Sequence, residues 1–249
     1  MKNLILKPLM AAALAGLFAA QAQASVVIAG TRVIFPAQER EVTVKLTNDG
    51  KTPALVQSWL DRGNADEAPE NIDVPFTLTP SMFRLEAGKG QTLRLIYSKE
   101  PLPQDKESLF WLNVLEVPPK ATQADANHLQ LAFRTRIKVM FRPQGLQGSV
   151  EEAPRQLAWK IVPGAGGKGY ALQAHNPSAY VVNLGGIKLK SGGRTLDAGA
   201  GYVLPGASQS FPVAGLDSAP AAAEVDYSSI DDWGGTAPGH APASFAPAS

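Results

Sequence analysis

The segment from residue 129 to residue 142 constrains the fold most strongly, because apolar residues occupy every second position. One parity is mainly apolar and the other mainly polar and basic: Leu129, Leu131, Phe133, Thr135, Ile137, Val139 and Phe141 against Gln130, Ala132, Arg134, Arg136, Lys138, Met140 and Arg142. A period of two is typical of a half-buried β-strand. At about 3.3 Å per residue this strand would span roughly 45 Å, which is long for a sandwich. The end near 137–141 suits a core, whereas the end at 129–133 suits either core or an exposed edge.

The same period recurs at residues 42–47 and 93–95, and no convincing amphipathic helix follows residue 25. Short alternating segments separated by turn residues, without helices between them, predict antiparallel β-sandwiches. We therefore expect an all-β protein.

A domain boundary is visible where Pro143 ends the long alternating segment. A second set of alternating segments runs from residue 157 to residue 213. The two blocks, 25–143 and 150–239, each have a length that suits one sandwich domain. Residues 240–249 are rich in alanine and proline and do not alternate, so we expect a loose tail there.

The first 24 residues have the pattern of a secretory signal peptide. Lys2 and Lys7 give a positive start, residues 9–20 form an apolar run of 12, and Ala22, Gln23 and Ala24 match a cleavage site. The run is shorter than the roughly 20 residues that span a bilayer. We expect cleavage after Ala24 and export, without stable membrane insertion.

Composition excludes several kinds of site. The chain has no cysteine, which excludes a disulfide scaffold, a thiolate zinc site and a cysteine nucleophile. A formal net charge of +1 gives no reason to expect a nucleic-acid partner. His128, His175 and His240 are far apart in sequence, and we expect no metal site.

One segment imitates an enzyme motif. Residues 164–169 match G-x-G-x-x-G, but the alternating residues 170–174 follow where a dinucleotide site would need a helix. A glycine-rich hairpin turn is the favoured interpretation. We expect no catalytic residue, no cofactor and no small-molecule substrate, and hence no enzyme.

Seven short motifs, in order along the chain, resemble one family. They are GTRVIFP (30–36), VKLTN (44–48), PSMFRLEAG (80–88), LPQDKESLFWLNVLEVPP (102–119), RIKVMFRP (136–143), NPS (176–178) and IDDWGG (230–235). The set is similar to the periplasmic chaperones of the chaperone–usher pathway, which escort pilus subunits. The short loop at 120–128 resembles that of the short-loop subgroup.

The resemblance implies two immunoglobulin-like domains set at an angle, with a cleft between them. It also implies donor-strand complementation, in which the last strand of the first domain fills the open groove of a pilus subunit. Leu129, Leu131 and Phe133 would be the groove-filling side chains of a donor strand at 129–142. The implied partners are pilus subunits and an outer-membrane usher, and the implied compartment is the periplasm.

The resemblance further assigns two sets of charged residues. Arg32 and Lys138 would bind the C-terminal carboxylate of the subunit in the cleft, while Glu116, Arg142 and Asp232 would form an ionic bridge between the domains. Lys138 has the opposite parity to Leu131 and Phe133, so a regular strand would aim it at the other face. A bulge or a strong twist near the domain junction would reconcile the two assignments.

Two departures from the family pattern concern the second domain. Family members often have a disulfide there, and the closing strand is hard to find in residues 221–249. A competing hypothesis is an immunoglobulin-like structural or adhesive pilus subunit, although neither an N-terminal donor extension nor a cysteine pair is visible. A remote third hypothesis, a nucleotide-dependent enzyme, depends on residues 164–169 alone.

Overall fold

The computed structural model describes residues 25–119, 130–164, 166, 169–218 and 222–245. In these ranges the chain forms sixteen strands and two short 3₁₀ helices, Pro69–Asn71 and Ala153–Gln156. No helix in the described ranges is long and apolar enough to cross a membrane. The strand content of these ranges confirms the expected all-β class. Two separate hydrophobic cores divide the strands into two domains.

The first domain is a sandwich of two sheets. Its strands are β1 (Val26–Ile28), β2 (Arg32–Pro36), β3 (Glu41–Asn48), β4 (Ala54–Asp61), β5 (Phe76–Thr79), β6 (Met82–Leu85), β7 (Gly90–Tyr97), β8 (Ser108–Val117) and β9 (Phe133–Arg142). They form one sheet in the order β1-β3-β7-β5 and another in the order β2-β9-β8-β4-β6. Phe76 of the first sheet packs on Phe35 and Phe110 of the second, with ring centroids 5.3 and 5.0 Å apart. These aromatic contacts join the inner faces of the sheets.

Strand β9 lies between β8 and β2 and keeps an unbroken register. It pairs antiparallel with β8 from Phe133 to Phe141 and parallel with β2 from Lys138 to Arg142. Its odd-numbered residues from 137 to 141 are buried in the core, as the alternation predicted. The strand begins at Phe133 rather than at residue 129, and Leu129 lies outside the described residues.

The second domain closes a single sheet around its own core. Its strands are β10 (Ala158–Pro163), β11 (Tyr170–His175), β12 (Val182–Ser191), β13 (Arg194–Val203), β14 (Ser208–Pro212), β15 (Ala223–Ile230) and β16 (Thr236–Phe245). The order is β13-β12-β15-β16-β10-β11-β14. The two edge strands, β13 and β14, contact each other, so the sheet folds over on itself. Leu172, Ile187 and Val225 lie fully buried between its two halves.

Strand β16 corrects the expectation of a loose tail at 240–249. It pairs antiparallel with β15 from Thr236 to Ala243 and parallel with β10 through Ala243, Ser244 and Phe245. Residues 240–245 are therefore part of the sheet, and 246–249 lie outside the described residues. The side chains of β16 are exposed or half-buried, so the strand is held mainly by backbone pairing. Because neither face of β16 is buried in a core, its apolar and polar residues do not alternate in the sequence.

The glycine-rich residues 164–169 connect β10 to β11, which pair antiparallel. The backbone N–H of Gly164 donates to the carbonyl of Gly169 at 2.9 Å. The segment leads into strand β11 and not into a helix whose N-terminal amides could hold a pyrophosphate. The hairpin interpretation is confirmed.

Candidate functional site

The first half of β9 has one unpaired edge. Strand β8 accompanies β9 from residue 133 to 141, whereas β2 covers only 138–142. In the described part of the chain, residues 133–137 therefore have no partner on the β2 side. An open edge of this kind presents backbone donors and acceptors to an incoming strand.

Apolar side chains accompany this open edge. Leu131 is 49% exposed and Phe133 is 37% exposed. They have the same parity as Ile137, Val139 and Phe141, whose side chains lie in the core of the first domain. One face of the segment therefore passes from a closed core to an uncovered apolar end.

Arg32 and Lys138 lie side by side across the parallel strands β2 and β9, where they are direct register partners. Their side chains lie on the face of the sheet opposite to the core. Met140, on the same face of β9, is buried against Asn183 of the second domain, whose side-chain amide donates to the Met140 sulfur at 3.7 Å.

Lys138 therefore reaches the cleft from a strand without a bulge, because β9 keeps an unbroken register with β8. The cleft between the domains lies on the outer face of the sheet, so a regular strand aims Lys138 at the cleft and Phe133 at the core side. Lys138 Nζ donates to Asn183 Oδ1 at 2.5 Å and lies 4.3 Å from the ring centre of Tyr202.

Electrostatics distinguish the Arg32–Lys138 pair from ordinary surface cations. Burial, followed by the charge of Arg32, lowers the pKa of Lys138 to about 8. Burial also lowers the pKa of Arg32, although Asp232 and Asp231 act in the opposite direction. Each cation is thus held in a charged form that its surroundings disfavour.

An anion would relieve this cost. Arg32 Nε is buried without a hydrogen-bond partner among the described residues, while its Nη1 donates to the carbonyl of Ile230 at 3.3 Å. No carboxylate of the described residues forms an ion pair with Arg32 or Lys138. A guanidinium next to an ammonium suits a carboxylate, which can accept from both.

A groove of about 450 Å³ lies beside Arg32. Arg32, Thr31 and Val44 of the first domain line it together with Asp232 and Trp233 of the second. The Trp233 side chain is 95% exposed. A larger cavity, of about 860 Å³, lies in the second domain at the glycine-rich hairpin. No basic side chain is among its described lining residues, so the basic pair and not the larger cavity is the candidate site.

An ionic bridge joins the two domains, and Arg142 is its centre. The Arg142 fork donates to Asp232 through Nη1 at 2.6 Å and Nη2 at 3.0 Å, and its Nε donates to Glu107 at 2.5 Å. Burial would lower the pKa of Arg142, but the two carboxylates outweigh it and raise the pKa. Burial raises the pKa of Glu107 even though Arg142 opposes the shift.

The predicted bridge is therefore corrected at one position: Glu107, not Glu116, completes it. Ser108 pairs with Phe141, so residue 107 lies beside Arg142. Glu116 is nine residues farther along β8, roughly 30 Å away at the rise of an extended strand. It instead accepts the backbone N–H of Val26 at 2.9 Å. The antiparallel pairing of residues 108–116 with 133–141 is the feature that identifies Glu107 as the partner of Arg142.

Sequence reasoning also missed residues that surround Lys138. Trp111 of β8 and Tyr202 of β13 meet edge to face across the domain junction, with ring centroids 5.9 Å apart. The Arg136 guanidinium lies over the Trp111 ring, 4.4 Å from its centroid, and pairs with the buried Asp61. The contact between Trp111 and Tyr202 joins strands from the two domains, and no spacing in the sequence reports it.

Comparison with known proteins identifies both domains. Residues 25–147 match the family described as "Pili and flagellar-assembly chaperone, PapD N-terminal domain", and residues 152–241 match "Pili assembly chaperone PapD, C-terminal domain".

Individual relatives cover most of the chain. The chaperone protein FimB/FhaD of Bordetella pertussis is 43% identical over 232 residues, which cover 91% of each chain. The crystal structure of the YadV chaperone, a probable fimbrial chaperone of Escherichia coli, superposes with a TM-score of 0.75 at 40% identity and covers 88% of this chain and 100% of that one. The Salmonella enterica SafB chaperone in complex with the SafA pilin gives a TM-score of 0.71 at 28% identity, covering 88% of this chain and 97% of that one.

Proposed function

This chain belongs to the family of pilus-assembly chaperones, and from that membership we propose that it binds a pilus subunit at two places. The first is the open edge of β9 with Leu131 and Phe133, preceded by Leu129. The second is the pair Arg32 and Lys138. The observation that carries the proposal is that β9 has an uncovered apolar end and also carries Lys138, which lies beside the half-buried Arg32 of β2. No carboxylate of the described residues forms an ion pair with either cation.

The open edge of β9 suits a pilus protein that lacks a strand. The backbone of residues 133–137 offers hydrogen bonds to a neighbouring strand, and Leu131 and Phe133 offer side chains for an apolar groove. Full burial of a leucine or phenylalanine is worth about 1.5–3 kcal/mol. Because both side chains are already half-covered, we expect about 1 kcal/mol from each on binding.

The basic pair supplies what the open edge lacks, which is a fixed register. A strand with a period of two can slip by two residues and still place apolar groups inward. A terminal carboxylate held by Arg32 and Lys138 removes that freedom, since only one alignment brings the chain end to the cations. The open edge of β9, called the donor edge below, would thus bind one strand position of the pilus protein, while the two cations in the cleft bind its C-terminal carboxylate.

The setting of this function is the bacterial envelope. We propose that residues 1–24 are removed after Ala24 and that the mature chain, beginning at Ser25, works in the periplasm. There it would bind and fold pilus subunits and deliver them to an outer-membrane usher. No bound cofactor or catalytic step enters the proposal, because the free energy of binding comes from contact alone.

The donor edge is tested by Leu131→Glu, with Met82→Glu as the matched control. Met82 is 57% exposed on β6, at the opposite edge of the same sheet. The Leu131 variant would place a charge in an apolar groove and should lose pilus subunits in co-purification from the periplasm. The Met82 variant should retain them. Equal yields of bound pilus protein from both variants would exclude Leu131 from the interface.

The anchor is tested with a peptide that has the C-terminal sequence of a pilus protein, made as free acid and as amide. Wild type should bind the acid at least tenfold more tightly than the amide, because removing one partner of a desolvated charge pair costs about 2–5 kcal/mol. Arg32→Ala and Lys138→Ala should each reduce this ratio, with effects that do not add. A ratio unchanged in both variants would mean that these cations do not hold the carboxylate.

A further inference from the structure

Glu116 is a buried carboxylate that the proposed pilus-protein binding site does not use. It is 7% exposed and accepts hydrogen bonds at the beginning of β1. Its Oε2 accepts the backbone N–H of Val26 at 2.9 Å, and its Oε1 accepts the backbone nitrogen of Ser25 at 3.3 Å as well as the Ser25 hydroxyl. Three donors from two consecutive residues therefore converge on one side chain.

These donors do not neutralise the charge. A buried carboxylate normally has a cationic partner, since removing an ion from water is costly. Within the described ranges, no lysine, arginine or histidine forms an ion pair with Glu116. A cation that arrives at Ser25 would supply the missing charge without moving either residue.

Proteolytic processing creates such a cation. Hydrolysis of the peptide bond between Ala24 and Ser25 by a signal peptidase adds water across the bond, leaving a carboxylate on Ala24 and an amine on Ser25. The amine takes up a proton at neutral pH, because an α-amino group has a pKa of about 7.7–8.0. The neutral amide at 3.3 Å from Glu116 becomes an ammonium with three donors.

We propose that Glu116 is the binding site for the α-ammonium group of the processed chain. The inference rests on the cleavage after Ala24 proposed above. It assigns Glu116 a role different from the interdomain bridge, and it names the ligand as the chain's own new amino terminus.

The position of this pair connects processing with the donor edge. Glu116 of β8 is the direct register partner of Phe133, so both residues lie on the core side, at the end of the sandwich where β9 has no partner on its β2 side among the described residues. Ser25 immediately precedes β1 of the other sheet, and its carbonyl accepts the backbone N–H of Asp49 at 2.7 Å. An ion pair between Ser25 and Glu116 would clamp the two sheets together beside Phe133.

The first test uses the mature protein and measures the titration of the Ser25 α-amine by NMR, after mass spectrometry has established the N-terminus. The titration midpoint should lie at least one pH unit higher in wild type than in Glu116→Gln, a tenfold difference in proton affinity. Glu70→Gln, which removes an exposed acid on a 3₁₀ helix of the same domain, should match wild type. Equal midpoints in all three proteins, or an N-terminus at another residue, would overturn the proposal.

The second test needs no titration. Acetylation of the Ser25 α-amine removes its charge, and it should lower the melting temperature of wild type by about 4 °C or more but that of Glu116→Gln by much less. Equal losses in the two backgrounds would mean that the ammonium has no specific partner at Glu116. Both tests are made without a pilus protein, so their failure would leave the donor edge and the carboxylate anchor standing.

Discussion

At the scale of single residues, Lys138 carries a charge that its surroundings disfavour. It is packed against Tyr202 and lies beside Arg32, and these two facts account for its lowered pKa. The ammonium is therefore poised to gain more from an incoming carboxylate than an exposed lysine would. The affinity for a pilus protein should therefore depend on whether Lys138 is protonated, which changes at a pH of about 8 in the free protein.

Binding of a pilus protein should weaken as the pH rises through about 8. In the free protein Lys138 loses its proton near that pH, whereas a bound carboxylate favours the charged form and raises the pKa in the complex. Proton uptake on binding lowers the affinity by up to tenfold per pH unit above about 8. Isothermal titration with the free-acid peptide between pH 6.5 and 9.5 measures this slope.

Lys138→Arg is the control for that slope, since a guanidinium keeps its charge throughout this range. The affinity of this variant for the peptide should not change with pH, and a flat profile for wild type would contradict the assignment.

The folding stability of the free protein should rise with pH over the same range in which the affinity of wild type falls. Because the folded pKa of Lys138 is below its ordinary value of 10.5, this group favours unfolding at low pH, and the penalty disappears as the pH rises from about 8 to 10.5.

At the scale of elements, the strands differ in how visible they are in the sequence. Strands β3, β7 and β9 bury one face, so their apolar residues alternate and the period of two predicts them. Strand β16 lies between β15 and β10 in the middle of a sheet, yet it reads as a proline-rich tail. Its place depends on partners that are distant in sequence.

A chain that ends at Gly239 should therefore have a badly destabilised second domain. The truncation removes all three residues that pair with β10 and leaves β10 and β15 without a common neighbour. Limited proteolysis should cut residues 150–239 rapidly, and the yield from the periplasm should fall. A chain that ends at Phe245 is the control and should resist the protease like the full chain. Equal resistance of the two shortened chains would show that β16 is dispensable.

At the scale of the whole molecule, the ionic bridge holds two independently packed domains in one arrangement. Arg142 belongs to the last strand of the first domain, Asp232 follows β15 of the second, and Glu107 accepts the backbone N–H of Val181 at 2.7 Å. Lys138, Asn183 and Tyr202 meet at the same junction. The bridge therefore contributes, together with these contacts, to the domain arrangement that shapes the cleft.

Arg142→Ala should loosen this junction and lower stability by about 3 kcal/mol, because it leaves the Glu107 carboxylate, only 3% exposed, without a cation. Adding Glu107→Gln should restore part of the loss, since the neutral amide keeps an acceptor for Val181. Thermal melting reports the stability, and small-angle scattering should show a wider range of domain separations in the single variant. Lys190→Ala, which breaks an exposed pair with Asp226, should change neither measurement. An additional loss in the double variant would contradict the bridge as described.

Fold class and the division into two domains follow from the alternation in the amino-acid sequence, whereas the choice of Arg32, Lys138, Arg142 and Asp232 came only from the resemblance of the motifs to a family. Period-two alternation reports which face of a strand is buried, and it led from Ile137, Val139 and Phe141 to a core. The ordered motifs pointed to the family. The alternation is a local signal, because a half-buried strand records its environment in its own residues.

Which side chains meet depends on the packing of strands and domains. Glu107 and Glu116 look alike in one motif, but strand pairing places the first beside Arg142 and the second beside Ser25. Lys138 reaches the cleft on a regular strand because the second domain packs on the outer face of the sheet, a fact that no period can encode. Strand β16 exists because β10 and β15 offer it backbone hydrogen bonds. In each case the deciding contact joins residues far apart in the chain, and local composition carries no record of such a contact.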